Sequence, residues 1–302
     1  MKVFLTGATG FIGSNLVKRL LSDEHEVVCY VRNIEKARKV LGPKPQLLQT
    51  TAFDNHLIAT IERCDAVINL AGEPIIKRWT KKNKKKIYNS RVDLTRKLVS
   101  LMDRCKTRPK VFISASAVGY YGNRGNEILT EKSSKSSGWL SHLCNQWEKF
   151  SYPSHSGSLV DTRFVNLRTG IVLGNGGALK KMFLPFKLGL GGILGNGNQW
   201  MPWIHIDDMV EIIVASMSNE KIYGPVNCVA PNPVTNKEFT KQMGRTLRRP
   251  TIFPVPGFIL KIIFGEAACV LLDSQRVEPK LLYKADFVWK FSKLDKALED
   301  LL

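Results

Sequence analysis

Hydrophobic and polar positions along the first half of the chain follow two alternating rhythms. Val3-Phe4-Leu5 is a short run of β-prone apolar residues, and after a glycine-containing turn the apolar positions recur at helical spacing through Phe11, Leu16, Leu20 and Leu21. A second apolar run, Glu26 to Val31, follows at the spacing a βαβ unit requires. The alternation continues through Gln46 to Gln49, Asp65 to Leu70 and Lys110 to Ser114. This order predicts an α/β fold, a Rossmann-like doubly wound parallel sheet. Ligands of such sheets bind beyond the carboxyl ends of the strands, so the turns Leu70-Ala71-Gly72-Glu73 and Ser114-Ala115-Ser116 should line the ligand, the fifth strand ending at the latter.

The second half reads differently. A helix is predicted from near Gly138 through Glu148, and after Gly174 the chain turns glycine-rich, as suits a flap beside a pocket. His205 lies on an alternating strand and suits a structural histidine, while Asp207 and Asp208 are read as caps of a helix from Met209 to Met217. Three further helices are predicted: Asn236 to Leu247, Pro256 to Leu272, and Ser292 to Leu302. The chain thus divides into a nucleotide-binding domain over 1–173, with elements of about 200–230 returning to it, and a smaller, mainly helical region over 174–302.

Composition narrows the classes. Hydrophobic content of 44% with 24% charged residues is that of a packed globular protein. The six cysteines are scattered, with no C-x-x-C pair or metal-ligand spacing, which implies a reducing cytoplasm and no metal site. No export segment precedes the glycine turn, and the longest apolar stretch, Phe258 to Leu272, is interrupted by Lys261 and Glu266, so no membrane partner is expected. The net charge of +19 is concentrated partly in Lys77 to Lys86, read as a solvated basic helix face. That run lacks the aromatic interleaving of a nucleic-acid site, and no nucleic-acid partner is expected.

The candidate chemistry begins at Thr6-Gly7-Ala8-Thr9-Gly10-Phe11-Ile12-Gly13. Gly7 permits a sharp turn, Gly10 lets backbone approach a pyrophosphate, and Gly13 lets the helix pack close to the strand, with the helix N-terminus facing the phosphates. At the end of the second strand stands Arg32, with Lys36 and Arg38 behind it, and no carboxylate is expected nearby to repel a phosphate. A forked guanidinium there suits the 2′-phosphate of NADP, whereas NAD sites carry an acidic residue, so NADP is the favoured cofactor over NAD.

Together with Asn69-Leu70-Ala71-Gly72, Ser90-Arg91, Ser114 to Gly122, Trp147-Glu148, Arg168 to Gly174, Pro202 to Asp208 and Ala230 to Asn236, these residues resemble the extended short-chain dehydrogenase/reductase superfamily. More narrowly, they resemble its atypical "epimerase family" branch, which is NAD-dependent epimerase/dehydratase-like and carries a small C-terminal domain. The resemblance implies that Gly7, Thr9, Gly10, Phe11 and Ile12 hold the pyrophosphate and that Arg32 and Asn33 hold the phosphorylated adenosine. It further implies that Leu70, Ala71 and Gly72 run along the adenine ribose and linking phosphates, that Arg91 contacts the cofactor, and that Gly170 and Ile171 pass the nicotinamide.

The superfamily's usual tyrosine and lysine, four residues apart on a helix, are missing. Anchoring the predicted helix on Glu148 puts Leu140 at the tyrosine position and Cys144 at the lysine position. Tyr120 with Arg124 has the spacing but lies in a glycine-containing loop. Ser116 matches the superfamily serine that hydrogen-bonds a substrate carbonyl, and Tyr120, Glu73, His142 and His205 are the possible proton carriers, with Ser116 and Tyr120 the catalytic candidates. The implied function is an oxidoreductase or epimerase acting on a small carbonyl or nucleotide-sugar-like molecule. The alternative is a catalytically silent, cell-division-inhibitor-like dinucleotide-binding regulator. A homodimer is left open.

Overall fold

The computed structural model describes residues 1–152, 159 and 161–302. From the N-terminus run β1 (Lys2–Thr6), α1 (Phe11–Ser22), β2 (Glu26–Val31), α2 (Ile34–Leu41), β3 (Gln46–Gln49), α3 (Asp54–Ile61), β4 (Ala66–Asn69), α4 (Lys81–Tyr88), a π turn (Asn89–Asp93), α5 (Leu94–Asp103) and β5 (Val111–Ala117). After a 3₁₀ turn (Val118–Tyr121) come β6 (Ile128–Leu129), α6 (Trp139–Ser151), β7 (Arg163–Thr169), β8 (Ile171–Leu173), α7 (Gly177–Lys187), β9 (Trp200–Met201), β10 (Trp203–His205), α8 (Ile206–Ser218), β11 (Gly224–Cys228) and β12 (Val234–Thr235). The chain ends in α9 (Asn236–Leu247), α10 (Gly257–Phe264), a 3₁₀ turn (Gly265–Ala268), α11 (Cys269–Leu272), β13 (Arg276–Val277), α12 (Lys280–Lys284) and α13 (Leu294–Leu301).

Seven strands form one parallel sheet in the order β11-β7-β5-β4-β1-β2-β3. The order reverses at β1, where the chain first winds toward β2 and β3 and then returns to β4 on the other side. Successive side chains of β1 serve opposite faces, as a sheet covered on both sides requires. Val3 and Leu5 pack with Leu16 and Leu20 of α1 and with Ile212 and Ile213 of α8, whereas Phe4 packs with Leu57 of α3 and Leu98 of α5. The doubly wound parallel sheet expected from the sequence is therefore present, with a largely helical C-terminal region after it.

Three local expectations are corrected. β5 does not end at Ser116 but continues through Ala117, paired with β7 along its whole length. The apolar stretch from Pro256 to Leu272 is not one helix: Gly265, at φ +61°, ends α10, and a 3₁₀ turn leads into α11. Finally, α8 starts at Ile206, and its N-cap is His205, whose Nδ1 accepts from the Asp207 backbone N–H at 3.1 Å. Asp208 instead accepts from the backbone N–H groups of Lys290 and Phe291, and Asp207 pairs with the Lys290 ammonium, so both aspartates tie the C-terminal segment to this helix.

Candidate functional site

The glycine turn is shaped by side chains that are missing. Gly7 has φ +73°, and a β-carbon there would lie 2.5 Å from the Leu70 carbonyl carbon. A β-carbon on Gly13 would stand 2.2 Å from the Gly7 carbonyl oxygen, closer than any real contact. Glycine at these positions brings the β1 turn against Leu70 and seats α1 on β1. Gly10 caps α1 with its backbone alone, its N–H donating to Gly7 O at 2.9 Å, and no side chain caps the helix. The opening N–H groups of a helix have no intrahelical acceptor, and the dipole there is positive, so this turn with exposed Thr9 and half-buried Phe11 and Ile12 fits a pyrophosphate.

At the end of β2, Arg32 is exposed and makes no hydrogen bond or ion pair among the described residues. Asn33 has a second occupation: its Oδ1 accepts from the Lys36 N–H at 2.8 Å and caps α2. Arg38 donates to the carbonyls of Gly42 and Pro43, closing the end of α2 rather than facing a ligand. A carboxylate does stand near Arg32 in space, contrary to the reading from its neighbours in sequence. Glu73 is held below the usual carboxylate range first by the hydrogen bond from Lys77 (2.7 Å) and also by the charge of Arg32. So engaged, Glu73 is a poor proton carrier.

The Leu70-Ala71-Gly72 turn is backed by Arg91. The π turn interrupts the helical run between α4 and α5 and turns Ser90 and Arg91 toward it: Ser90 Oγ accepts from the Glu73 N–H at 3.0 Å, and Arg91 donates to Glu73 O at 2.9 Å. The guanidinium lies 3.1 Å from where a Gly72 β-carbon would be and 5.2 Å from the Trp147 ring centroid. Burial pushes its pKa down from the ordinary arginine value. A buried chain of hydrogen bonds fixes the same region: Thr6 donates to Asn69, and Asn69 and the Trp147 indole both donate to Thr95. This joins β1, β4, α5 and α6 directly beneath the turn.

At the positions of the absent catalytic pair, Leu140 packs against Gly119, where a β-carbon would come within 2.7 Å of it, and Cys144 is buried. Burial pushes the Cys144 thiol up to about 12, leaving it neutral and inert. Arg124 is not a partner for Tyr120 either, because its guanidinium is held by the Glu127 carboxylate.

What surrounds Ser116 and Tyr120 is an ion-pair network that the sequence reading did not find. Ser116 Oγ donates to Glu148 Oε1 at 2.6 Å, so this hydroxyl must release Glu148 before it can donate to a substrate. Arg168 grips the same carboxylate in bidentate fashion, Nε to Oε1 at 2.8 Å and Nη2 to Oε2 at 2.7 Å. Burial works against the charge on Arg168, but the Glu148 hydrogen bonds and charge outweigh it and hold the guanidinium protonated. Its plane lies 3.7 Å from the Tyr120 ring centroid, a close cation–π contact, and Nη1 donates to the Tyr121 hydroxyl at 2.9 Å. The Tyr121 hydroxyl in turn donates to Asn227 Oδ1 at 2.7 Å, and burial pushes its pKa up to about 12, which makes it a wall. Tyr120 is half-buried, and its hydroxyl has no hydrogen-bond partner among the described residues. Glu148 and Arg168 had one legible signal, since an arginine ending the apolar run Phe164-Val165-Asn166-Leu167 on a buried strand calls for a partner.

Most of the remaining candidates have structural partners of their own. His205 is buried against Phe291, kept neutral chiefly by desolvation, and acts as the α8 cap. His142 is exposed on α6. Gly170 sits where a β-carbon would meet Pro202 O at 2.6 Å, and the Ile171 N–H donates to that same oxygen, so this pair fixes β8 to β10. Gly174, Gly176 and Gly177 all lie against the Phe11 ring, which seats the glycine-rich segment on the first residue of α1. Three residues past Tyr120, Asn123 lines a cavity of about 530 Å³ together with Lys261, Glu266, Cys269 and Asp273, and burial pushes the Asp273 carboxyl up to about 6.

Comparison with known proteins agrees with this geometry. The NAD dependent epimerase/dehydratase family matches residues 3–228, and a domain of unknown function, DUF1731, matches residues 255–301. The chain is 38% identical over 305 residues to the chloroplastic epimerase family protein SDR39U1 homolog of Arabidopsis thaliana, covering 100% of this chain and 87% of that protein. Among solved structures, the human epimerase family protein SDR39U1 (isoform 2) with NADPH superimposes with a TM-score of 0.89 at 33% identity, over 100% of this chain and 99% of that one. A nucleoside-diphosphate sugar epimerase from Corynebacterium glutamicum gives a TM-score of 0.78 at 31% identity, over 99% of this chain and 57% of that one.

Proposed function

Because the chain belongs to the NAD-dependent epimerase/dehydratase family, we propose that it is an NADP-dependent oxidoreductase or epimerase of small carbonyl or nucleotide-sugar-like molecules. In this reading Tyr120, rather than a tyrosine–lysine pair, carries the proton. The observation that carries it is the Arg168 guanidinium stacked on the Tyr120 ring and locked there by Glu148. Support for NADP comes from exposed Arg32 and from the NADPH in the human SDR39U1 structure.

Gly7, Thr9, Gly10 and Ile12 would hold the pyrophosphate, Arg32 the 2′-phosphate, and Arg91 would back the Leu70-Ala71-Gly72 turn along the ribose. The dinucleotide, when bound, supplies or accepts hydride. The chain's own work is to orient the substrate and to hold a proton on the Tyr120 phenol oxygen, which no other described side chain engages. Arg168 places a guanidinium, paired with Glu148, against the face of that ring, and Ser116 with Glu148 keeps it in place. Such preorganised charge is effective because it needs no rearrangement during reaction.

The test is oxidation of NADPH by a panel of aldehydes, ketones and nucleotide-sugar ketones. A substrate turned over by the wild type should be turned over roughly 100-fold more slowly by Tyr120→Phe, the loss typical of a missing general acid. NADPH affinity should stay unchanged. Wild-type turnover in the Phe variant would remove Tyr120 from the mechanism, and no turnover across the panel despite tight NADPH binding would favour the silent regulator.

A further inference from the structure

Helix α10 reads Gly257-Phe258-Ile259-Leu260-Lys261-Ile262-Ile263-Phe264, apolar nearly all round, yet only Leu260 is buried. A helix with apolar residues on every side belongs in a core or in lipid. Phe258 and Ile262, one turn apart, are 64% and 68% exposed, and Ile252, in the segment leading to the helix, is 71% exposed. That segment runs beside the end of the glycine-rich loop: Val255 N–H donates to Ile193 O, Gly195 N–H donates to Val255 O, and a β-carbon on Gly192 would collide with Phe253 O. Gly189, flanked by exposed Leu188 and Leu190, lies against Pro250. The exposed apolar residues therefore gather on two stretches, distant in sequence, that touch each other, more than scattered single side chains explain.

The charge around this face is mainly positive. Residues 162–206 and 239–265, which supply it, contain no Asp or Glu, and of the carboxylates bordering them Glu266 pairs with Lys84 while Asp273 lies in the cavity beside Lys261. Lys187, Arg245, Arg248, Arg249 and Lys261 are exposed on these segments, and none of them pairs with a carboxylate among the described residues. We infer that this face docks the protein onto an anionic lipid surface, with Phe258, Ile262, Ile252 and Phe253 entering the headgroup layer and the cations meeting lipid phosphates. This departs from the sequence-based expectation of no membrane partner, which read the excess positive charge as a solvated helix face. No helix among the described residues is long and apolar enough to cross a membrane, so the contact is peripheral. A second copy of the chain is the weaker occupant, since a self-complementary contact would set this row of cations against itself.

The test is co-sedimentation of the full-length chain with vesicles of phosphatidylcholine alone and of phosphatidylcholine mixed with phosphatidylglycerol. Binding should be at least roughly tenfold stronger to the anionic vesicles, the attraction expected of several juxtaposed cations, and should fall sharply at about 0.5 M salt. Phe258→Ser/Ile262→Ser should lose vesicle binding, and Arg248→Gln/Arg249→Gln should lose the preference for anionic lipid. Both variants should keep wild-type melting temperature and NADPH affinity, which separates this surface from the dinucleotide reading. Absence of vesicle binding, or binding that survives both double substitutions, would overturn the proposal. So would a concentration-dependent dimer abolished by Phe258→Ser/Ile262→Ser without any lipid effect.

Discussion

Glu148 sets the charge balance of the site, because among the described residues it is the one carboxylate gripping the Arg168 guanidinium, which is 4% exposed. A buried ion pair gains little over an apolar pair, but removing one partner strands the other charge in a poor solvent. Glu148→Gln keeps an acceptor for Ser116 and deletes the charge that offsets Arg168. The expected loss is about 3 to 5 kcal/mol of unfolding free energy by urea titration, the range for a broken buried pair. A variant within about 1 kcal/mol of wild type would mean that water already screens Arg168, as at a surface pair. This triad was only partly legible beforehand. Ser116 could be found because it ends an apolar strand in a recognisable motif, but Glu148 and Arg168 lie 32 and 52 residues further on, and nothing local says that they meet. The missing Tyr/Lys pair was legible, since Leu140 and Cys144 stand one turn apart on a helix whose register Glu148 fixed.

Among the elements, the strand, turn and helix at the N-terminus leave the least room for substitution. The Gly13 α-carbon carries no side chain because the Gly7 carbonyl occupies that space, and backbone cannot move aside as a flexible side chain can. Gly13→Ala should therefore push α1 away from β1, costing about 1 to 3 kcal/mol as other overpacked sites do. It should also weaken dinucleotide binding, because the helix N-terminus proposed to hold the pyrophosphate moves with it. Thermal melting and a binding titration on the same sample check this, and unchanged affinity in a folded variant would disconnect the turn from the ligand. These first elements were readable because their signals are local: period-2 and period-3.6 apolar patterns separated by glycines. Helix α9 was equally clear, bounded by a Thr235–Glu238 capping box. The break in α10 was missed because Gly265 sits within a continuous apolar run, where the hydrophobic pattern outweighs a single residue. The cap of α8 was misread because aspartates are the usual caps, whereas here the histidine before them supplies the acceptor and the aspartates bind a segment over 80 residues away.

For the molecule as a whole, strand order decides where chemistry can occur. The reversal at β1 opens a crevice at the carboxyl ends of β1 and β4, and the glycine turn, the Leu70 turn and Arg91 all face it. β5 and β7 extend the same edge to the Ser116, Glu148 and Arg168 network, so the glycine turn and this network share one side of the sheet. Parallel α/β sheets bind ligands at this edge whatever their substrates, which is why the fold and the candidate ligand edge were legible early and the substrate was not. Calorimetric titration of NADPH and NADH into the wild type and Arg32→Ala tests the central claim most directly. Wild type should bind NADPH more tightly than NADH, and Arg32→Ala should lose roughly 10- to 100-fold in NADPH affinity, the worth of a charge-assisted phosphate contact, while NADH affinity barely changes. Equal losses for both dinucleotides, or no heat with either, would contradict that claim.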